Sequence, residues 1–141
     1  MPFKFEKLEV WEEALDYVDA VYSVAARLPK QEEYNLKDQA RRAATSIALN
    51  IAEGSTGQTD AEFARFLGVA IRSLVETVAC QKIMARRGYF KGDDTLRELY
   101  SKAARLASRL QALRNAISPN KPWIKEYEPP YDESPPGGRP L

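Results

Sequence analysis

The chain has 141 residues, of which 44% are hydrophobic and 29% are charged, and its net charge is +1. This length favours one domain with a real core, and the near-neutral charge gives no general reason to bind polyanions. Because the sequence contains no histidine, it excludes a Ser-His or Cys-His pair and the Glu-x-x-His metal sites of helical bundles. We therefore predict no enzyme, no catalytic residue, no metal and no cofactor.

The N-terminal sequence and the lengths of the apolar runs indicate where the protein resides. No apolar run approaches the ~18 residues that a membrane span needs. The N-terminus has no apolar core of a signal peptide. A cytoplasmic location without membrane contact is expected. The single cysteine, Cys80, cannot form an intrachain disulfide and is expected to act as a small buried hydrophobe.

The first helix is predicted over 4–28, ending at Pro29. Its apolar residues recur at intervals of three and four, which is a heptad seam. The seam consists of Trp11, Ala14, Val18, Val21, Ala25 and Leu28. Leu15 and Tyr22 widen it into the broader apolar face of a globular helix.

The second helix is predicted from the N-cap residue Asn35 to Glu53, with Gly54 just past its end. An apolar stripe runs along it at helical spacing: Leu36, Ala40, Ala43, Ile47 and Ile51. A polar stripe lies beside it: Gln39, Arg42, Ser46, Asn50 and Glu53. The polar stripe indicates either a network that fixes helix packing or a ligand or nucleic-acid site. Since a carboxylate in the last turn opposes the helix dipole, Glu53 is expected to have a cationic or N–H partner.

The third helix is predicted to begin with a capping box, Thr59 to Glu62, and to stop at Gly88. Its seam is Phe63, Leu67, Ala70, Leu74, Thr77, Gln81 and Met84. More apolar residues lie outside that seam: Phe66, Val69, Ile71 and Val78. A helix that is apolar on more than one side is buried from more than one side. This helix is therefore either the central one or one that also meets another subunit.

The fourth helix is predicted from a cap at Asp93 or Asp94 to about Ser118. Its seam is the most regular in the chain: Leu96, Leu99, Ala103, Leu106, Leu110, Leu113 and Ile117. Four helices with short connections predict an all-α, antiparallel up-down-up-down four-helix bundle over 1–118. The Pro-rich remainder, 119–141, is predicted to be an extended or partly disordered tail, with 122–131 lying along a groove of its own or a neighbouring bundle and 134–141 disordered.

Charge is distributed unevenly along the chain. Residues 3–34 carry four basic and eight acidic side chains, whereas 35–118 carry fourteen basic and eight acidic ones. The basic residues on helices two to four are candidates for contacts with nucleic acid. These candidates are Lys37, Arg41, Arg42, Arg65, Arg72, Arg86, Arg87, Lys102, Arg105 and Arg109. The alternatives are solvated helix faces, or an acidic first helix that meets a basic fourth helix across a subunit interface.

Several segments carry a resemblance to a known family. They are FEKLEVWEEA at 5–14, QARRAATSIALNIAEG at 39–54, the run from Phe63 to Glu76, and RRGYF at 86–90. With these motifs the chain resembles the 23S rRNA intervening-sequence proteins, a family of four-helix bundles that is similar in turn to the accessory protein of diversity-generating retroelements. The motif residues expected to form a structural polar network are Gln39, Arg42, Ser46, Asn50, Glu53, Gly54, Ser73 and Glu76.

The resemblance implies a left-handed bundle that assembles into a homopentameric ring. For the retroelement branch it also implies binding of nucleic acid and of a reverse transcriptase. That branch is strongly basic, and the present chain is not. This difference argues against strong nucleic-acid binding. We expect a non-enzymatic, homo-oligomeric scaffold or accessory protein, and the retroelement resemblance implies that it binds RNA or DNA through its basic helix faces; the alternative is a protein-interaction adaptor with no nucleic-acid role.

Overall fold

The computed structural model describes residues 2–118 and contains four α-helices in this range. They are α1 (Glu9–Ala26), α2 (Leu36–Ser55), α3 (Asp60–Arg86) and α4 (Thr95–Ile117). Two 3-10 helices, Lys4–Lys7 and Lys30–Glu32, precede α1 and α2. The predicted tail, with the expected docking of 122–131, lies outside the described residues.

The helices pack in the order in which they follow one another along the chain. α1 packs against α2, α2 against α3 and α3 against α4, and α1 also packs against α4, which closes the bundle. The short connections make sequential neighbours antiparallel. The predicted four-helix bundle is confirmed, whereas its handedness and subunit number stay predictions. Within the described helices, none is long and apolar enough to cross a membrane.

The seams predicted for the last three helices supply most of the core. Every member of the apolar stripe of α2 and of the seam of α3 is buried. In α4, the central members Leu99, Ala103, Leu106 and Leu110 are buried, and the three seam residues nearer its ends are half-buried. Ile71 and Val78 of α3 lie outside the seam and pack against the core within a single chain.

The seam predicted for the first helix is only partly correct. Trp11 and Val18 are half-buried, and Tyr22 is exposed. Tyr17, which the predicted seam did not include, is fully buried, and its hydroxyl finds partners in the core: it lies 2.6 Å from Thr77 Oγ1 and accepts a 2.8 Å hydrogen bond from Gln81 Nε2. A buried tyrosine is stable when its hydroxyl is paired in this way.

The first helix also begins later than predicted. Lys4–Lys7 form a separate 3-10 helix, and Leu8 is extended between it and α1. The break lets the Phe5 ring meet the Trp11 ring edge-on, with the centroids 4.6 Å apart. Such aromatic contacts stabilise by about 0.5–1.5 kcal/mol beyond their buried area.

The predicted role of Gly54 is wrong. It lies inside α2, which continues to Ser55, and it is buried where α2 crosses α3. A Cβ at this position would lie 2.5 Å from Phe66 Cβ and 3.1 Å from Phe63 Cδ1. Gly54 therefore permits the close approach of two helices instead of ending one of them.

Two of the predicted N-caps differ in detail. The Asn35 side chain does not cap α2; it donates to Glu32 Oε1 at 3.1 Å, and the same oxygen lies 3.4 Å from Leu36 N. Thr59 does cap α3, because its Oγ1 accepts from Glu62 N at 3.0 Å. The Glu62 carboxylate, however, accepts from Gln58 N at 3.2 Å, one residue before the position that a capping box requires.

The C-terminus of α3 agrees with the sequence. α3 ends at Arg86, and Gly88 adopts a left-handed φ of 84°. Tyr89 N donates to Met84 O at 3.1 Å and Gly88 N to Ala85 O at 3.0 Å, which is the Schellman pattern of a helix C-terminus. The N-cap residue of α4 is Asp94, whose side chain makes no capping hydrogen bond; Asp93 Oδ1, one residue earlier, accepts from Thr95 N at 3.0 Å.

Candidate interaction surfaces

An open groove runs along the outer face of α2 beside Tyr22 of α1; we call it the α1–α2 groove. Its volume is about 450 Å³. Two large apolar side chains are exposed here, Leu49 with 59% and Tyr22 with 45% of its surface. The Tyr22 hydroxyl lies 3.3 Å from Thr45 Oγ1 and joins the two helices at the surface. The groove therefore combines protruding apolar groups with polar groups along its length.

Part of the predicted polar network forms at the edge of this groove. Ser46 Oγ lies 2.8 Å from Ser73 Oγ, so it links α2 to α3. Asn50 Nδ2 donates to Ser46 O at 2.8 Å and to Ser46 Oγ at 3.0 Å. Arg42 turns away and pairs with Asp38 at 3.5 Å. The network that the structure assembles is thus a three-residue link between helices and not the whole stripe.

The remaining members of the predicted network lie outside this link. Gln39 and Glu76 are exposed, and Gly54 is a packing residue. Glu53 is exposed in the last turn of α2, where the helix dipole disfavours a carboxylate. Within residues 2–118, the Glu53 carboxylate contacts neither a cation nor an N–H group, so the expected partner is not found there.

A second groove lies between α3 and α4, on the side of the bundle opposite to α1 and α2; we call it the α3–α4 groove. Its volume is about 220 Å³. Ala85, Leu96 and Tyr100 form much of its apolar wall, and Gln81, Lys82 and Arg97 complete its lining. The Lys82 ammonium lies 4.6 Å from the centre of the Tyr100 ring, a cation–π contact at the edge of the groove.

The cationic candidates on α2 are paired within the chain. Lys37 Nζ lies 2.8 Å from Glu33 Oε1, and Arg41 lies 3.9 Å from the other oxygen of the same carboxylate. With Arg42 on Asp38, all three basic residues predicted on this helix have a carboxylate beside them. This pairing lowers the positive field that they present to a polyanion.

The basic face of α4 meets the acidic face of α1 within one chain. Arg109 contacts Glu9 at 2.8 Å, and its Nε lies 2.9 Å from Glu13 Oε1, an ion-pair contact without hydrogen-bond geometry. Lys102 and Arg105 share a cleft of about 110 Å³ with Glu13 and Asp16. The alternative in which these charges meet only across a subunit interface is therefore unnecessary, since the fold already brings them together.

The other cationic candidates are spread over α3. The Arg65 guanidinium lies 4.5 Å from the centre of the Phe66 ring. Arg72 is exposed in the middle of the helix, and Arg86 and Arg87 are exposed at its C-terminus. The ten candidates thus lie on several faces of the bundle, and the fold does not gather them into one basic surface.

The prediction did not identify two polar clusters. Tyr17, Thr77 and Gln81 form a buried polar cluster, and Thr77 and Gln81 already stood out in the sequence as polar members of an apolar seam. Glu32 is almost fully buried and accepts from Tyr89 Oη at 2.7 Å. The hydrogen bond from Tyr89 is the main cause that lowers the pKa of Glu32, and those from Asn35 and Leu36 act in the same direction.

The single cysteine, Cys80, is a buried free thiol. Burial raises the pKa of the Cys80 thiol, and the charge of Glu76 adds to this, which keeps the thiol protonated and weakly nucleophilic. In the part of the chain that the structure describes, no group of His, Cys, Asp and Glu is arranged to hold a metal ion.

The sequence was compared with known proteins. A family model described as 23S rRNA-intervening sequence protein matches residues 6–112, which include α1, α2, α3 and most of α4. No curated protein matches the chain.

Proposed function

We propose that this chain, which belongs to the 23S rRNA-intervening sequence protein family, acts in the cytoplasm as a non-enzymatic, self-associating scaffold or accessory subunit. The observation that carries the proposal is the set of large apolar side chains at the surface of the single bundle. Leu49, Val75 and Ile83 are 59%, 58% and 49% exposed. Residues of this kind, flanked by polar groups, are typical of surfaces that bind another protein.

The character of the charged residues supports a scaffold more than an enzyme. The chain has no histidine, and its one thiol is buried with a raised pKa. Within residues 2–118, six of its sixteen carboxylates lie in ion pairs, and Glu32 lies in a structural link between loops. In the same range, no serine or cysteine is hydrogen-bonded to a side-chain base, an arrangement that commonly activates nucleophiles.

The assembly that we propose is a ring of five copies, in line with the resemblance of the motifs to pentameric bundles. The test is light scattering or sedimentation velocity of the full chain at low micromolar concentration. The expected mass is five times the 15.9 kDa of the chain. Another multiple would retain self-association and reject the pentamer, and a monomer mass would reject the proposed function itself.

Nucleic-acid binding is a second candidate function. The observation that favours it is that Arg86, Lys102 and Arg105 are exposed and, within residues 2–118, have no carboxylate within 4.0 Å. In a ring these charges repeat around the axis and their field adds up. A reverse transcriptase, the partner implied by the retroelement resemblance, would contact such an assembly together with its RNA.

The test of this candidate is the affinity for structured RNA and duplex DNA as a function of salt. Phosphate contacts predict a linear fall of log affinity with log salt, and the slope becomes shallower in the double variant Arg86→Glu with Arg105→Glu. Arg42→Glu is the control, since this cation already pairs with Asp38. Equal salt slopes for all three proteins, or no binding, would reject the nucleic-acid role and leave the protein-only adaptor.

A further inference from the structure

We infer that copies of this chain associate head to tail, with the outer face of α2 around Leu49 in one copy seated in the α3–α4 groove of the next. The inference rests on the proposed self-association and specifies which two surfaces meet. Both surfaces are present on every copy, and they share no helix: residues of α1 and α2 line one groove, and residues of α3 and α4 line the other.

The shapes of the two surfaces are complementary. The Leu49 side chain protrudes from α2 with 59% of its surface in contact with solvent. The α3–α4 groove offers a volume of about 220 Å³ against the apolar groups of Ala85, Leu96 and Tyr100. This volume is several times the ~30 Å³ that a water molecule occupies in the liquid. A leucine seated there would act as a knob between two helices, the packing that apolar helix surfaces favour.

The charges beside these apolar groups are complementary as well. Glu53 follows Leu49 by four residues, so both lie on one face of α2. Its carboxylate has no partner within residues 2–118 and opposes the dipole at the end of its helix. Lys82 lines the α3–α4 groove, over the Tyr100 ring, with no carboxylate within 4.0 Å in the described range. With Leu49 in the groove, the neighbouring Glu53 and Lys82 form an intersubunit ion pair.

This contact determines the kind of assembly that forms. Because the two surfaces differ, each copy binds one neighbour through α2 and another through the α3–α4 groove. Such a heterologous contact generates a ring when the rotation closes and a filament when it does not, whereas one self-complementary patch gives a dimer. The proposed pentamer is a closed assembly of this kind.

The experiment uses two single variants of the full chain, mixed and apart. Leu49→Glu removes the knob, and Ala85→Glu places a charge in the groove; both positions are exposed, so the fold is expected to survive. We expect each variant alone to sediment as a monomer of 15.9 kDa. The mixture forms a 1:1 heterodimer and nothing larger, because only one intact pair of surfaces remains. Ala61→Glu, the same substitution as at Ala85 but at an exposed position of α3 that lines neither groove, is the control and keeps the wild-type mass.

A charge exchange tests the ion pair separately. Glu53→Lys dissociates the assembly, and adding Lys82→Glu in the same chain restores it. A monomeric wild type would overturn both the proposed function and this inference. A wild-type oligomer whose mass survives Leu49→Glu or Ala85→Glu, or variants whose mixture stays monomeric, would overturn the inference alone and leave self-association standing. Circular dichroism of each variant shows whether the helices are intact.

Discussion

At the end of the bundle where α1 stops and α4 starts, hydrogen bonds and charges hold the loops together, whereas at the opposite end close packing does so. We call the first the Glu32 end and the second the Gly54 end. At the Glu32 end, the Glu32 carboxylate binds Tyr89 Oη at 2.7 Å, and Arg27 contacts Asp93 at 3.0 Å and the Phe90 ring at 4.8 Å.

At the Gly54 end, contacts between small and aromatic groups replace these hydrogen bonds. Gly54 lies against Phe63 and Phe66 of α3, and the Phe5 ring packs on Trp11. Two cations contact these rings at the surface: the Lys4 ammonium lies 5.6 Å from the centre of Phe63, and the Arg65 guanidinium lies 4.5 Å from the centre of Phe66. The stability of the Glu32 end is therefore expected to depend on pH and salt, whereas that of the Gly54 end is expected to depend mainly on close packing. Each prediction below tests one side of this contrast.

The largest effect is expected from Gly54→Ala at the packed end. The new Cβ would lie 2.5 Å from Phe66 Cβ, where carbon atoms prefer about 3.5–4.0 Å, and neither atom moves without its helix. Overpacking of this kind costs about 1–3 kcal/mol. Helix propensity alone would make alanine more stable than glycine here by ~1 kcal/mol. A fall in the melting temperature would therefore come from the packing clash. Thermal unfolding followed by circular dichroism measures it.

Gln39→Ala is the control for that variant, because Gln39 is exposed on the same helix. Surface changes of this type stay within ~0.5 kcal/mol. If Gly54→Ala melts at or above the wild-type temperature, the close approach of α2 and α3 at this point is not a constraint.

Glu32→Gln, at the polar end, is expected to have the next largest effect. An amide cannot reproduce the charge that receives hydrogen bonds from Tyr89, Asn35 and Leu36, and the loss is about 1 kcal/mol. The control is Glu33→Gln, the same change at the next residue, whose exposed carboxylate contacts only Lys37 and Arg41. Equal melting temperatures for the two variants would contradict a special role for Glu32.

The same residue predicts how stability changes with pH. Because hydrogen bonds hold the pKa of Glu32 below its ordinary value of 4.5, its contribution is present above that value and is lost as the pH falls through the pKa of the folded state. The difference in melting temperature between wild type and Glu32→Gln should therefore shrink between pH ~7 and pH ~3. A gap that is constant over this range would show that the carboxylate charge is not what stabilises this end.

The smallest effect is expected from Arg27→Lys. Lysine has no planar fork to reach both Thr95 Oγ1, at 2.8 Å, and Asp93 Oδ2, at 3.0 Å. Because the Arg27–Asp93 pair is about half exposed, the melting temperature should fall less than in Glu32→Gln. The difference in melting temperature between wild type and Arg27→Lys should shrink at ~1 M salt. The Gly54→Ala effect should not respond to salt, and a similar salt response of both variants would remove the contrast between the two ends.

Much of the fold could be predicted because helical periodicity is a local property. The buried faces of α2 and α3 follow directly from apolar residues at intervals of three and four. The signals at Thr59 and Gly88 were also sufficient, since a cap depends on residues within one turn. The buried face of α1 was harder to predict. Trp11 and Val18 fit a regular heptad spacing, but the tertiary contacts leave them half-buried and bury Tyr17 instead.

The candidate surfaces were less predictable, since a stripe on one helix does not show what faces it. Ser46 and Asn50 lie on the predicted polar stripe, but only packing brought Ser73 to it, while Glu53 was left without a partner in the described range. The basic residues of α2 and α4 were predicted to contact nucleic acid, and only the fold shows that Glu33 and Asp38 lie beside those of α2 and that Glu9 and Glu13 lie beside Arg109.

Four amphipathic helices and the faces that α2, α3 and α4 bury follow from the amino-acid sequence, because each depends on neighbours within two turns. Contacts between distant segments made Gly54 a packing residue, joined Tyr17 to a polar group 60 residues away and brought Arg109 to Glu9 across 100 residues. Those pairings depend on the relative rotation and axial shift of packed helices, which no single helix encodes.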